Sequence, residues 1–483
     1  MNVSLRNANS ATLPEGRVVA CAAAAPTPAW PKVFSASSAI VIALFAVVFV
    51  ACYLPVLTST FAVADDYLWI CGALQHNMIS PEVLLVKQGR PLMALVCGGG
   101  FSGATSVAAL NVLRLGSIAI LTGMAFCFYR TVVAAGHKKV PAFCVSVVAC
   151  TTMAFQVYIS WATTGSYALA PLVAGIAFYC ADIAFAEARL SRKITLAGTA
   201  VLCLLAAQLL FQTSAMFYWV FAAVILFRPG ATWIDTRNRF LWYAGIGFAA
   251  LALAYWVAVS GRSVKAADFD LPPQRTHLVR NYLGKANWFL TDPVRNALNF
   301  DRLIPKANIA IGTAVAFSAG LLLYLKDSFK VTSLRFALAL LLIPLCYLPN
   351  LVIAEDYATY RTQSALEGIF VLYGFFALLG FRKVLLLQMR ESFFNALLGS
   401  LAVTAMCCAF YNVTVYFTAP NALEYQVLKG FVNQRSSDKL TVRQIAFTPK
   451  CILAPHMEYE FGLPTSALPF AVKSMDYVLR HEH

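Results

Sequence analysis

Two carboxylates stand side by side at Asp65-Asp66, followed at once by Tyr67. Like charges this close disfavour each other's ionisation, so one carboxyl of the pair is pushed toward neutral pH. That suits a general base taking a proton from a hydroxyl. The same residues at a helix start also serve as an N-cap, with Trp69 as an interfacial anchor, and their position alone leaves both readings open. Residues 67–87 separate this pair from Gln88-Gly89-Arg90-Pro91-Leu92. There Gly permits close backbone approach, Arg offers a planar donor fork for a phosphate, and Pro can open a helix whose first amides point at an anion. The alternative is a helix-start turn with Arg90 reaching lipid headgroups. A third cluster, Glu355-Asp356-Tyr357 with Tyr360-Arg361, places acid, aromatic and cation within seven residues, suited to a sugar ring and a phosphate or to a solvated interfacial turn.

The elements that position these residues follow from composition. Of 483 residues, 60% are hydrophobic and only 12% charged, against about 45–50% and about 25% in ordinary soluble domains. These proportions exclude a soluble enzyme, a disordered chain and a nucleic-acid binder as first readings. Hydropathy predicts an all-α polytopic membrane protein with eleven spans, near 37–57, 104–128, 141–160, 167–186, 195–211, 213–228, 240–260, 308–325, 333–353, 362–381 and 394–418. The apolar stretch 195–227 is too long for one helix and is divided at Phe211-Gln212-Thr213. Alternate short loops hold Arg130/Lys138/Lys139, Arg189/Arg192/Lys193, Arg228/Arg237/Arg239, Lys326/Lys330/Arg335 and Arg382/Lys383/Arg390, while the loops at 161–165 and Gln212 hold none. The positive-inside rule then puts the N-terminus in the cytoplasm and the C-terminus outside.

Three domains are expected: a disordered cytoplasmic N-terminus at 1–35, a transmembrane region at 36–418 with outer loops 57–105 and 261–307, and a small outer appendage at 419–483. The second loop has eight cations to four acids and suits an anionic glycolipid or a headgroup-bound amphipathic helix. Arg114, alone in an apolar run, calls for a carboxylate partner or a role at a phosphate. Asp182 and Glu367 are expected near span ends or paired. The 13 cysteines are an odd number and lie mostly in apolar runs, which argues against a disulfide framework. The six histidines are scattered, and no metal site is expected.

Taken together, Asp65-Asp66 and Gly89-Arg90-Pro91-Leu92 between the first two spans resemble the bacterial membrane glucosyltransferases that decorate O-antigen in serotype conversion. Weaker matches are Gly165-Ser166-Tyr167 and Phe211-Gln212, the latter standing where the family usually has Tyr-Gln. The resemblance runs from about residue 37 to 415. It implies a GT-C-like hexosyltransferase of the bacterial inner membrane with a periplasmic active site. The donor would be a polyprenyl-phosphate sugar, the acceptor lipopolysaccharide or another envelope glycan, and a donor synthase and flippase would be partners. Asp65 or Asp66 would be the base, the other holding the donor sugar or the acceptor, and Arg90 the phosphate ligand. Beside the resemblance, Gly89, Gln88, Tyr67, Gln212, Glu355, Asp356, Tyr360 and Arg361 are the candidates for contact with the substrates by residue type and position. No cofactor is required, and a divalent cation is left open.

Two other classes fit the sequence less fully: a polysaccharide polymerase or ligase acting on polyprenyl-diphosphate glycans, favoured by the cationic loop 261–307, and a lipid or sugar transporter. The latter needs charges deep in several spans, where Arg114 stands almost alone, and an internal repeat that the two halves do not show. A single cysteine placed in the 355–361 turn is expected to react with a membrane-impermeant maleimide from the outer side of intact spheroplasts. Labelling from the cytoplasmic side alone would overturn the topology.

Overall fold

Long apolar runs leave a backbone in lipid no polar partner but itself, and a helix satisfies its internal N–H and C=O groups within one segment. The computed structural model describes residues 36–77, 79–260, 277–298, 307–385, 391–434, 465 and 468–481. It is almost all helical, at 84%, with no β-strand among the described residues. The expected N-terminal segment 1–35, Cys451 and the cations Arg262, Lys265, Arg275, Arg302 and Lys306 lie outside the described residues. The described cysteines, Cys71 and Cys97 among them, are free.

Six helices among the described residues are long and apolar enough to cross a membrane: Leu110–Ala134, Ala162–Ala186, Leu190–Leu210, Trp233–Ala258, Ser364–Val384 and Glu391–Asn433. The pair Lys139–Cys150 and Met153–Ser160 makes a seventh if its bend lies within one span. The chain is therefore a multi-pass membrane protein. The remaining segments expected to span carry shorter helices: Ala36–Cys52, Gln212–Leu226, Ile311–Leu325 and Phe329–Leu345. A further short apolar helix, Pro91–Phe101, lies in what reads as the first outer loop.

Breaks in the spans are locally satisfied. The 63° bend falls at Thr151-Thr152, where the Thr151 hydroxyl donates to the Val147 carbonyl (3.0 Å) and the Gln156 amide donates to Thr151 O (2.8 Å). The Glu367 carboxyl then accepts from the Ala154 amide (3.1 Å) in the first turn of the second helix, where a negative group is favoured. The second break comes at Phe211, whose extended backbone (φ −157°) ends Leu190–Leu210 before Gln212–Ala215 begins.

The opposite ends of several helices are tied by buried charges. Asp182 contacts Arg239 and accepts from the Tyr243 hydroxyl (2.6 Å). Asp235 pairs with Arg239 and Arg228 at 3.0 Å each, and Arg335 donates to the carbonyls of Arg228 and Ala231. These three arginines counted toward loop charge in the sequence, but all are buried and serve as ties between helices rather than headgroup contacts. Asp182 and Glu367 are thus both partnered.

The expected boundary between membrane region and tail at 418–419 falls inside a continuous helical run, Glu391–Asn433, which passes through the π-helical turn Val413–Thr418. The last described helix, Pro469–His481, buries Ala471, Val472, Met475, Val478 and Leu479 and packs on Asp65–Leu74. Helices Ala307–Leu325 and Ser364–Leu385 approach at Gly320 and Gly380, where a Cβ on Gly380 would lie 2.0 Å from Gly320 O. Small residues let membrane helices come this close. Gly380→Val is therefore expected to lower the thermal unfolding midpoint of the purified protein, since overpacking costs about 1–3 kcal/mol or more. Gly399→Val, with nothing within 4 Å of its added Cβ, is expected to leave the midpoint unchanged.

Candidate functional site

The turn before Asp65-Asp66 is held in an unusual backbone shape. Ala64 has φ +43°, a region that costs an L-residue free energy and persists only where the surroundings enforce it. Its amide donates to the Thr465 hydroxyl (3.1 Å), and Thr465 N donates to Glu424 (2.9 Å). The two carboxylates that follow then diverge. Asp66 is fully buried and accepts from the Val63 amide (3.1 Å), the Thr163 amide (2.8 Å) and the Thr163 hydroxyl (2.6 Å), with Arg114 Nη2 at 4.0 Å. Burial pushes its pKa up to about 6 against these partners, which favour the charged form. Asp65 faces a cavity instead. Burial raises its pKa as well, and the Arg361 guanidinium pulls it partly back.

Arg114 does not line this cavity. Its Nε donates to Ser160 O (3.2 Å), Nη1 to Asn111 (2.9 Å) and Nη2 to Phe61 O (2.8 Å), and its guanidinium covers the Phe61 ring at 3.8 Å. It joins three segments and pairs with Asp66, the carboxylate partner that a lone charge in an apolar run requires.

The cavity is about 90 Å³ and draws on distant stretches of the chain. Asp65, Leu68 and Trp69 come from the first helix after the bend, Gln88 and Arg90 from the Gly-Arg-Pro segment, Thr163 and Tyr167 from the turn after Ser160, Phe211 from the helix break, and Tyr357 and Arg361 from the third cluster. Its volume suits the reacting end of a substrate, a phosphate with part of a ring, since pockets for whole ligands are about 300–1,000 Å³.

Arg90 is held from several sides. Gly89 adopts φ +74°, and a Cβ there would meet the Ala258 Cβ at 2.9 Å, so both the turn and the packing demand glycine. Gly89 O accepts from the Gln212 amide (2.9 Å), and Gln212 Oε1 in turn accepts from Arg90 Nε (3.2 Å). Arg90 Nη1 donates to Gln88 (3.2 Å) and reaches the Tyr167 hydroxyl (3.4 Å). The guanidinium sits 4.6 Å from the Phe211 ring, which stacks on Tyr167 at 4.0 Å. Across the cavity Arg361 donates to the Tyr357 hydroxyl (2.6 Å) and lies 4.9 Å from the Trp161 ring, while its carbonyl accepts from Tyr158 (2.5 Å).

Of the residues singled out in sequence, Asp65, Gln88, Arg90 and Arg361 line one cavity, with Gly89 and Gln212 in direct support. Asp66, Tyr67 and Tyr360 are buried outside it. Glu355 and Asp356 also stand outside: Lys285 donates to Glu355 O and pairs with Asp356, both at 2.9 Å. That pairing, with backbone bonds joining His277 and Val279 to Ala354 and Val352, pins the described part of the loop 261–307 to the 355–361 turn. The sequence did not mark Thr163 or Lys285 as site residues, and it noted Tyr167 and Phe211 only as weak matches. The one signal for Thr163, Tyr167 and Phe211 was position at charge-free turns between spans, while Lys285 was one of eight cations in the loop 261–307. The described residues hold no group of three His, Cys, Asp or Glu side chains arranged to share an ion.

No protein-family model matches the chain, and no curated protein sequence matches it.

The two aspartates should part company when mutated. Asp66→Asn puts an amide against the Thr163 and Val63 donors and strips Arg114 of its counter-charge. A loss of about 3–5 kcal/mol is expected, as for other broken buried pairs, and is read as a lower thermal midpoint in detergent. Asp65→Asn removes only a desolvated charge, so the midpoint is expected to stay or rise. Equal losses for both would show that Asp65 is structural too.

Proposed function

We propose that the chain is a glycosyltransferase that moves a hexose, glucose by its resemblance, from a polyprenyl-phosphate donor to O-antigen or another envelope glycan. The observation that carries this reading is the convergence of one carboxyl, Asp65, and two guanidiniums, Arg90 and Arg361, on a single cavity. Displacing a lipid phosphate by a hydroxyl needs a base for the incoming oxygen and cations for the departing anion.

In this reading Asp65 takes the proton of the acceptor hydroxyl as its oxygen bonds to the anomeric carbon of the donor. The bond from that carbon to the phosphate oxygen breaks, and polyprenyl phosphate leaves with the electron pair. Arg90 and Arg361 hold the charge that develops on the phosphate. Gln212 and Gly89 keep Arg90 in place, and the Phe211–Tyr167 stack offers a flat surface beside it. Asp66 is a positioning residue that fixes the turn presenting Asp65.

The wider frame of the proposal is a GT-C-like bundle of eleven spans in the bacterial inner membrane, with a cytoplasmic N-terminus and the cavity facing the periplasm. A synthase and a flippase would supply the donor on that side. Two guanidiniums in one cavity also suit a diphosphate leaving group, which keeps a polymerase or ligase acting on polyprenyl-diphosphate glycans as the second reading.

The test is sugar transfer by purified protein from radiolabelled polyprenyl-phosphate hexose to envelope glycolipid. Asp65→Asn is expected to cut transfer by at least 100-fold, in the range of a lost general base, and Arg90→Ala to cut turnover with weaker donor binding. Because Asp65 acts only when ionised and burial raises its pKa, wild-type transfer should climb with pH through that raised value and fall away below it. Transfer unaffected by Asp65→Asn would remove the base assignment. Transfer only from polyprenyl-diphosphate glycans would favour the second reading.

A further inference from the structure

A second cavity, of about 380 Å³, lies between helices Lys139–Cys150, Ser364–Leu385 and Glu391–Asn412. It shares no lining residue with the cavity of Asp65, Arg90 and Arg361. Val145, Val148, Phe370, Phe375, Leu378 and Leu398 are among its apolar lining residues. Such a surface inside a membrane protein suits a hydrocarbon chain and rejects a sugar or a nucleotide.

Five polar side chains, Thr152, Asn296, Thr313, Glu367 and Thr404, interrupt the apolar lining. Thr152 stands at the bend between two helices, is 8% exposed, and its hydroxyl has no hydrogen-bond partner. Asn296 likewise has a buried side-chain nitrogen without a partner. Glu367 reaches Ala154, two residues from Thr152. A buried polar atom left without a partner is costly and calls for an explanation. Among the described residues no Lys or Arg lines the cavity, and the Glu367 carboxyl opposes an anionic head.

We infer that this cavity binds an uncharged lipid with a free hydroxyl, its chain along the Phe370–Leu398 wall and its head at Thr152 and Asn296. A hydroxyl has one donor and two acceptor positions. It can accept from the Asn296 amide while exchanging a hydrogen bond with Thr152, and it brings no charge to Glu367. The inference is independent of the proposed transfer reaction.

The experiment uses the full chain in phosphatidylcholine nanodiscs with three diazirine lipids of identical chains, a diacylglycerol, its acetylated form and a phosphatidic acid, and the diacylglycerol is expected to label more than the acetylated form. Labelled peptides are mapped by mass spectrometry. The diacylglycerol is expected to label peptides spanning 144–153, 370–378 or 398–405 at least tenfold more than the anionic lipid does. Ala405→Trp, which fills the cavity from one wall, should reduce that labelling at least tenfold. Thr152→Val, nearly equal in volume, should retain labelling by the chain but lose most of the preference for the hydroxyl head over its acetylated form. Equal labelling by phosphatidic acid, labels confined to other peptides, or an undiminished preference in Thr152→Val would each overturn the inference. The last measurement decides it if Ala405→Trp fails to fold.

Discussion

Arg114 sits without access to water, and a guanidinium in that position must find partners or the fold around it fails. Its donors reach a carbonyl in the segment after the first helix, a side chain one turn back on its own span, and the carbonyl that ends Met153–Ser160. Asp66 stands against it and is itself satisfied from the turn at Thr163. A buried pair of this kind adds little net stability compared with an apolar core. What it does is choose one arrangement, because every other registry of the outer turn leaves a charge buried and alone. The direction in which Asp65 points is a consequence of that choice.

On the far wall the same principle works with weaker forces. Arg90 is held by two amide oxygens, a phenol and two ring faces. Two arginines close in sequence thus stand in different surroundings: Arg114 is enclosed within the fold, and Arg90 lines the cavity.

Much of this was legible in the chain. Apolar runs announced the helices, the extended residue at Phe211 fell where an overlong stretch had to break, and the pairing of Asp65-Asp66 with Gly89-Arg90-Pro91 marked two walls of one cavity. The distinction between the two aspartates was not legible, since it depends on Thr163, 97 residues away, and on Arg114. The acidic residue Asp356 looked equal to Arg361 by composition, yet Lys285 pairs with it, and a contact across 71 residues leaves no local pattern. Tyr167 and Phe211 read as ordinary interfacial aromatics because stacking is a property of two turns brought together. The support of Ala64 by Thr465 spans 401 residues and had no sequence signal at all.

The unbroken run Glu391–Asn433 carries a geometric consequence. Its 43 residues at about 1.5 Å each extend roughly 65 Å, more than twice a hydrocarbon core of about 30 Å. Glu424, 33 residues beyond Glu391 on that run, holds Thr465 and through it Ala64, so the backbone that presents Asp65 is anchored to a helix longer than the hydrocarbon core is thick.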